Sequence, residues 1–331
     1  MGKADNEARM IDLGSYIEMD LPRINEFLER ETAKLDPLVQ PVIRHVLLAG
    51  GKRLRPLLTL LTARSLGTRG VDILPMACAL ELLHSATLLH DDILDGARLR
   101  RGREAAHIVF GSTETILAGD VLLALANRLA AEYGLSRLTF ALADAIMRTA
   151  SGEVREIAGT RNADMEIEEY LRIITDKTAY LFQCGCWCGA ILSGRGRDME
   201  NAAKDFGFNL GVAFQLVDDA LDYSAGSDVS GKPLGGDLRE GKLTLPLIFY
   251  FQDLDSEQRK VMSGKFERNE FTDQDIRVVI SQVQDKGFAQ KTRDAAVEYA
   301  ERAGKALAVF PDGEEKAVLG QILDYVLARE K

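Results

Sequence analysis

The distribution of proline limits the fold of this chain more than any other feature of its sequence. All eight prolines of the 331 residues lie outside residues 76–232. Proline interrupts helices and is common in loops, so a proline-free stretch of this length favours long helices over many connections. Apolar residues also recur there at intervals of three and four, as along Phe206, Leu210, Phe214 and Val217. The sequence therefore predicts a chain made almost entirely of helices.

Glycine-containing breaks divide the chain into about a dozen predicted helices. No internal repeat of the length found in solenoid proteins is visible. Residues 252–331 are more highly charged and amphipathic, so we place them as outer helices of the same bundle. The prediction is a single all-α domain over residues 1–331. The predicted breaks lie at 49–52, 67–70, 96–102, 134, 194–196, 226–236 and 311–313.

Composition excludes several classes of protein. With 46% hydrophobic and 28% charged residues, the chain has too much apolar content to remain disordered. No apolar run approaches the roughly 20 residues of a membrane span, and the first residues lack the apolar core of a signal peptide. The net charge of −10 argues against a nucleic-acid partner. We therefore expect a soluble cytoplasmic protein that binds no nucleic acid.

Two copies of the pattern Asp-Asp-x-x-Asp carry the strongest chemical signal. On a helix the three carboxylates of one copy share a face and repel each other unless a cation lies between them. One such motif is usually a solvated acidic surface, but two copies flanked by leucine, valine and isoleucine favour a metal site. Mg²⁺ prefers such oxygen ligands and completes its shell with water and phosphate. The six aspartates are Asp91, Asp92, Asp95, Asp218, Asp219 and Asp222.

Two basic segments complement the aspartates. Gly50–Pro56 contains two arginines and a lysine at the predicted start of a helix. Cations at that end oppose the helix dipole, so an anionic ligand explains them better than an ordinary basic turn. Arg100 and Arg101 follow the first aspartate motif, and arginine makes bidentate contacts with phosphate. Metal ligands and cations together predict a polyphosphate substrate.

These motifs and their order resemble those of trans-polyprenyl diphosphate synthases. The resemblance covers residues 20–330, includes Lys177-Thr178 and a late Gly-Lys loop, and extends to long-chain bacterial members such as octaprenyl diphosphate synthase. It implies the isoprenoid synthase type of fold, a helical bundle around a central cavity. It also implies a homodimer and, because the product has a long apolar tail, transient contact with the inner face of the membrane.

The same resemblance implies roles for individual residues. The six aspartates would bind about three Mg²⁺ ions that hold the allylic diphosphate, and the implied catalytic residues are Asp91, Asp92, Asp95, Asp218, Asp219 and Lys177. Isopentenyl diphosphate would be held by Lys52, Arg55, His84 and Arg101. The allylic substrate would face Arg100, Lys177, Thr178, Gln215 and Lys232. From the residues alone, His84 is better interpreted as a core histidine.

The chain departs from the family pattern at two positions. Glu156 stands where family members commonly have glutamine, which changes the hydrogen bonding around the site but removes no metal ligand. Gly236 stands where aspartate is common, while the neighbouring Asp237 matches.

The implied reaction is the repeated, Mg²⁺-dependent, head-to-tail condensation of isopentenyl diphosphate onto an allylic primer such as farnesyl diphosphate. Small residues at Ala86 and Ala79 leave room for a growing tail along the helix of the first motif. We therefore predict a long product, octaprenyl diphosphate. The alternative is that Ala86 is only a close helix contact and that the product is farnesyl or geranylgeranyl diphosphate.

Three other functions are weighed against this one. A helical HD-type phosphohydrolase would use His84, His90, Asp91 and Asp218, but it leaves the remaining aspartates and the arginines without a role. A non-catalytic partner subunit would have lost its aspartates, whereas both motifs are intact here. Terpene cyclases typically keep one such motif and pair it with a different second metal site.

Overall fold

Helix follows helix along the computed structural model, which describes residues 12–224 and 234–329. Two short antiparallel strands, with Leu99 opposite Glu104, form a hairpin directly after the fourth helix. The elements of the N-terminal half are α1 (Leu13–Thr32), α2 (Gln40–Leu47), α3 (Leu54–Ser65), α4 (Leu74–Leu94), β1 (Leu99–Arg100), β2 (Arg103–Glu104), α5 (Ala106–Phe110), α6 (Ser112–Ala131) and α7 (Ser136–Gly159).

The described residues of the C-terminal half form helices joined by loops, with no strand among them. A single π-helical turn, Thr175–Ala179, joins the first two of its helices without a break. The helices are α8 (Ile167–Ile174), α9 (Tyr180–Ser193), α10 (Arg197–Leu221), α11 (Gly236–Glu240), α12 (Leu245–Asp253), α13 (Ser256–Glu267), α14 (Asp273–Asp285), α15 (Phe288–Ala308) and α16 (Glu314–Leu327).

The predicted all-α class is confirmed. The described residues form sixteen α-helices rather than about a dozen, partly because α5 and α11 have only five residues each and are too short to show helical periodicity. The predicted break at 226–236 lies largely outside the described residues. The breaks that separate helices as predicted are 49–52, 67–70, 134, 194–196 and 311–313.

Two hydrophobic clusters fill the interior, and helices α3 and α9 contribute to both. Leu57 and Leu61 of α3 and Phe182 of α9 belong to the cluster that includes α10, α12 and α15. Leu60 of α3 and Trp187 of α9 belong to the cluster around α4 and α6. Both helices are buried on several sides, so their apolar residues face partners in two directions. Helices α3 and α9 therefore lie between the two clusters and pack against both.

Helices α4 and α10 carry the two aspartate motifs through the middle of the bundle. Helix α4 packs most extensively against α6, and α10 packs against α15 and α9. Most residues of α4 and about half of those of α10 are buried, so packing against their neighbours holds both helices in place. In the described part of the chain, no helix is both long enough and apolar enough to cross a lipid bilayer.

Candidate active site

Both aspartate motifs lie at the C-terminal ends of their helices. Asp95 caps α4 and Asp222 caps α10. The C-terminal end of a helix carries partial negative charge, so carboxylates placed there need nearby cations or hydrogen-bond donors. A cavity of about 830 Å³ separates the two motifs. The predicted site residues on its wall are Asp91, Asp95, Arg100, Arg101, Lys177, Thr178, Gln215, Asp218 and Asp219.

The three carboxylates of the first motif have different surroundings. Burial raises the pKa of Asp91 to about 7; Lys177 opposes this shift, and the neighbouring acids add to it. Asp92 is buried behind the cavity wall, where it accepts a 2.8 Å hydrogen bond from Arg100 Nε. Asp95 lies at the rim, 3.3 Å from Lys242 Nζ. One carboxylate thus faces the cavity while another anchors the hairpin that carries Arg100.

In the second motif the middle carboxylate is also buried. Asp219 accepts hydrogen bonds from the Tyr170 hydroxyl and, at 2.7 Å, from Gln215 Nε2. Burial raises the pKa of Asp219 to about 7, although these two hydrogen bonds favour its charged form. Asp218 is half-exposed and lies 3.0 Å from Arg329 Nη2, near the end of the described chain.

Asp222 and Asp237 complete a crowded group of acids. The Asp222 carboxylate accepts hydrogen bonds from the backbone N–H groups of Gly236 (3.1 Å) and Asp237 (3.0 Å), at the start of α11. Burial and the nearby Asp222 and Asp219 raise the pKa of Asp237 well above its usual range. Its buried Oδ2 has no hydrogen-bond partner among the described residues. These carboxylate oxygens lie close together without enough cations to neutralise them. They are suitable ligands for a hard divalent cation such as Mg²⁺.

The π-helical turn brings Lys177 into the cavity. Helix α7 packs so closely against this turn that a β-carbon on Gly152 would lie 2.5 Å from the Lys177 backbone nitrogen. π-helical turns often occur at functional sites. Next to Lys177, the Thr178 hydroxyl donates a 2.9 Å hydrogen bond to Gln215 Oε1 and thereby fixes the amide that binds Asp219.

A second group of basic residues lies beside the aspartates. A β-carbon on Gly51 would lie 2.9 Å from Arg101 Nη1, so the Gly50–Pro56 turn and the β-hairpin are in contact. Burial lowers the pKa of Arg55 to about 10, with Arg101 adding to the effect and Glu81 opposing it. Burial and the surrounding arginines lower the pKa of His84 well below its usual range, so His84 is neutral.

Comparison with known proteins identifies the fold and its chemistry. The family model described as Polyprenyl synthetase matches residues 36–283. The chain belongs to the polyprenyl synthetase family. The octaprenyl diphosphate synthase of Escherichia coli is 32% identical over 324 residues, which cover 95% of this chain and 100% of that protein. The resemblance drawn from the motifs and the assignment as a prenyltransferase are thereby confirmed.

Solved structures of the family superpose over nearly the whole chain. A decaprenyl diphosphate synthase from Rhodobacter capsulatus has a TM-score of 0.90 and 36% identity, covering 96% of this chain and 98% of that one. A polyprenyl synthase from Caulobacter crescentus complexed with calcium and isoprenyl diphosphate has a TM-score of 0.91 and 35% identity, covering 99% and 100%. This polyprenyl synthetase therefore shares their helical architecture.

Several predicted site residues lie away from the cavity between the motifs. Lys52 stacks on the Tyr325 ring of α16, with Nζ 4.5 Å from the ring centroid. Ala86 is 0% exposed inside the core cluster around α4 and α6, and it does not line the cavity. Lys232 lies outside the described residues. Its role, like those of the other predicted site residues in this polyprenyl synthetase, remains a prediction.

The ligand set of an HD-type phosphohydrolase does not assemble. His90 Nε2 lies 3.1 Å from the Ile116 carbonyl oxygen on the α6 side of α4. Asp91, the next residue, faces the cavity instead. His84 is neutral and surrounded by arginines, an environment that disfavours a nearby cation.

Sequence reasoning gave no role to three residues that line or support the cavity, Glu153, Tyr170 and Lys242, and it named Glu156 only as a departure from the family pattern. Glu153 and Glu156 share one face of α7, a spacing of three that indicates proximity but not position. Lys242 follows the late Gly-Lys loop, and nothing in the sequence pairs it with Asp95 or Glu156. Tyr170 lies on the buried face of the amphipathic helix α8, and nothing in the sequence pairs its hydroxyl with Asp219.

Proposed function

We propose that this polyprenyl synthetase is a Mg²⁺-dependent trans-polyprenyl diphosphate synthase that adds isopentenyl diphosphate to an allylic diphosphate. The cavity between the two aspartate motifs carries this proposal, because acids from α4 and α10 line it together with Arg100 and Lys177. A diphosphate and its metal ions need that combination of oxygen ligands and cations.

Each group at the cavity has a part in binding or orientation. Bound by aspartates of both motifs that face the cavity, about three Mg²⁺ ions would supply Lewis-acid stabilisation of the leaving diphosphate. Lys177 and Arg100 neutralise the diphosphate oxygens as charge develops. Asp92 fixes the Arg100 guanidinium, and Gln215 with Tyr170 holds Asp219 in place.

The apolar wall protects the allylic cation that forms when the diphosphate leaves. Leu88, Met165, Ile173 and Ile174 line the cavity together with the polar residues. Water in this space would quench the cation, so its exclusion allows the double bond of isopentenyl diphosphate to attack instead. A proton is then lost to the released diphosphate, and no side chain serves as a nucleophile.

The basic group beside the aspartates suits the second substrate. Arg55 and Arg101 both act on the buried His84, which is neutral and adds a hydrogen-bonding group, and Lys52 belongs to the Gly50–Pro56 turn that contacts Arg101. Arg55 is the best placed of these residues, since its Nε is buried without a hydrogen-bond partner among the described residues. We assign this group to isopentenyl diphosphate.

We further propose farnesyl diphosphate as primer and octaprenyl diphosphate as product. Ala79 and Ala86 support this length, since both are small and both are fully buried on α4. Relatives named octaprenyl and decaprenyl diphosphate synthase add support. Farnesyl or geranylgeranyl diphosphate is the alternative product, because Ala86 does not line the cavity.

The test is incubation with farnesyl diphosphate, labelled isopentenyl diphosphate and Mg²⁺, with products resolved by chain length. We expect a ladder that ends near eight isoprene units, and one that ends at three or four units after Ala86→Phe. Ala303→Phe, an equally buried site on α15, is the control for overpacking and should leave the ladder unchanged. A wild-type ladder ending at three or four units favours the alternative, and no elongation contradicts the proposal.

A homodimer is the oligomeric state that we propose. Phe140, Met147 and Val154 recur every seven residues along α7 and are 64%, 62% and 66% exposed. Such an apolar stripe on a surface helix is typical of a subunit interface. Light scattering should give the mass of a dimer for the wild type and of a monomer for Phe140→Glu/Met147→Glu.

We also propose that the enzyme works in the cytoplasm and touches the membrane only to release its product. Flotation with phospholipid vesicles tests this idea. The enzyme should float with the vesicles after turnover and remain at the bottom without substrate. Flotation in both conditions contradicts it.

A further inference from the structure

The carboxylate of Glu156 lies where two lysines from separate parts of the chain meet. Its Oε1 atom is 2.7 Å from Lys177 Nζ and 3.2 Å from Lys242 Nζ. Lys177 belongs to the π-helical turn, whereas Lys242 follows α11. Two ammonium groups therefore converge on one oxygen atom in the wall of the cavity.

Each lysine also has a carboxylate that the other does not share. Lys177 Nζ lies 2.5 Å from Glu153 Oε2. Lys242 Nζ lies 2.9 Å from Glu240 Oε2 and 3.3 Å from Asp95 Oδ1. Among the ion pairs of the described residues, Glu156 alone contacts both lysines.

Electrostatics explains why the bridge matters. Two ammonium groups this close repel each other, and the repulsion is stronger at a partly buried site than in water. An anion between them removes that repulsion. Burial by itself raises the pKa of Glu156, but Lys177 and Lys242 hold it below its usual range, so the bridging carboxylate is charged.

We propose that Glu156 is a positioning residue that holds Lys177 and Lys242 together at the cavity and shares Lys242 with Asp95, so that Lys242 approaches Asp95 no closer than the 3.3 Å seen here. The proposal rests on the function proposed above. Without the charge on Glu156, Lys177 moves towards Glu153, and Lys242 moves towards Asp95 and Glu240. The first movement withdraws a cation from the allylic diphosphate, and the second sets a lysine against a metal ligand.

The experiment compares wild type with Glu156→Gln, which keeps the shape and the hydrogen-bond acceptor but loses the charge. We expect the KM for farnesyl diphosphate and the Mg²⁺ concentration for half-maximal activity each to rise about tenfold, as for the loss of one charge-assisted contact. The KM for isopentenyl diphosphate stays unchanged. Calorimetric titration with Mg²⁺ and inorganic diphosphate, which involves no turnover, should show the same loss of affinity.

Two further variants separate positioning from folding. Glu156→Asp keeps the charge on a shorter side chain and should recover part of the lost affinity. Glu169→Gln removes a carboxylate that is half-exposed outside the cavity and 3.7 Å from Arg155, and it should leave both constants at wild-type values.

Three outcomes overturn the inference. The first is a Glu156→Gln variant whose KM for farnesyl diphosphate and Mg²⁺ concentration for half-maximal activity both stay within twofold of wild type. The second is an equal rise in the KM for isopentenyl diphosphate, which assigns Glu156 a structural role. The third is the same loss of affinity in Glu169→Gln. If the wild-type enzyme elongates no substrate, the proposed function itself is wrong. That result is seen before any variant is compared.

Discussion

In the first aspartate motif a cation holds the buried middle carboxylate, whereas in the second motif neutral groups hold it. Asp92 pairs with the Arg100 guanidinium, and Asp219 accepts hydrogen bonds from Tyr170 and Gln215. The two sequences share one pattern, so the difference comes from the elements packed against each helix. The comparison shows that the middle carboxylate of the first motif is charge-balanced locally, while that of the second depends more on a cation from outside.

The largest expected effect comes from removing one cavity-facing carboxylate from each motif. Asp91→Asn and Asp219→Asn should each lower kcat/KM about a thousandfold, the scale of losing a key electrostatic group. Steady-state kinetics at saturating Mg²⁺ measures both. Asp205→Asn, an exposed position on α10, is the control and should retain full activity. A loss below tenfold in either variant would remove that motif from the proposed mechanism.

The next effect tests how each middle carboxylate is held. Arg100→Ala leaves a buried charge without its partner and should lower the free energy of unfolding by about 3 kcal/mol. Tyr170→Phe removes one neutral hydrogen-bond donor while Gln215 remains, and about 1 kcal/mol is expected. Urea denaturation of the metal-free proteins measures both values. Equal losses would contradict the contrast between charged and neutral support.

A smaller effect is a pH dependence of the stability of the metal-free protein, to which one aspartate of each motif contributes. The pKa values of Asp91 and Asp219 are raised from 3.8 to about 7 by burial. Each group therefore stabilises the metal-free fold fully below its ordinary pKa, and this contribution is lost as the pH rises through about 7. Between pH 6 and pH 8 the loss is roughly 1.4 kcal/mol for each group.

Thermal unfolding in chelator at pH 6 and pH 8 measures this dependence. The metal-free protein should be less stable at pH 8, and Mg²⁺ should stabilise it more at pH 8 than at pH 6. The double variant Asp91→Asn/Asp219→Asn should lose most of the difference. Metal-free stability that increases with pH would count against both shifts.

The smallest effect concerns the outer carboxylate of the second motif. Arg329→Ala breaks the contact of this largely buried arginine with the half-exposed Asp218 and its stacking on the Phe214 ring, and a loss of about 1 kcal/mol is expected. Urea denaturation should therefore show only this small loss. A loss above about 2 kcal/mol would mean that the C-terminal segment stabilises the second motif far more than a surface contact does.

Periodicity predicted an all-helical chain, and motif spacing predicted that acids of the two motifs belong to one site, but neither predicted the partners of each acid. The repeat of apolar residues along α10 and the absence of proline predicted one long helix between the breaks at 194–196 and 226–236, and α10 lies there. Asp91 and Asp92 are adjacent in sequence, yet one faces the cavity and the other lies behind its wall. That difference depends on where the hairpin with Arg100 folds back, which no local pattern specifies.

The sequence could not predict the contacts between side chains that are far apart in the chain. Tyr170 and Asp219 are 49 positions apart, and Lys242 and Asp95 are 147 apart. Such contacts follow from the packing of whole helices. The product length was predicted from Ala86, and that residue lies in the core beyond the cavity, so the path of the tail is decided by neighbours that α4 alone does not reveal.

The close packing of Gly152 on the π-helical turn has a practical consequence for engineering. A mutant library that randomises the cavity to change substrate or product should keep position 152 fixed, because every other side chain would push the turn and Lys177 away. Diversity is better placed on the apolar wall, at Leu88, Ile173 and Ile174, where substitutions reshape the space without moving the charged groups.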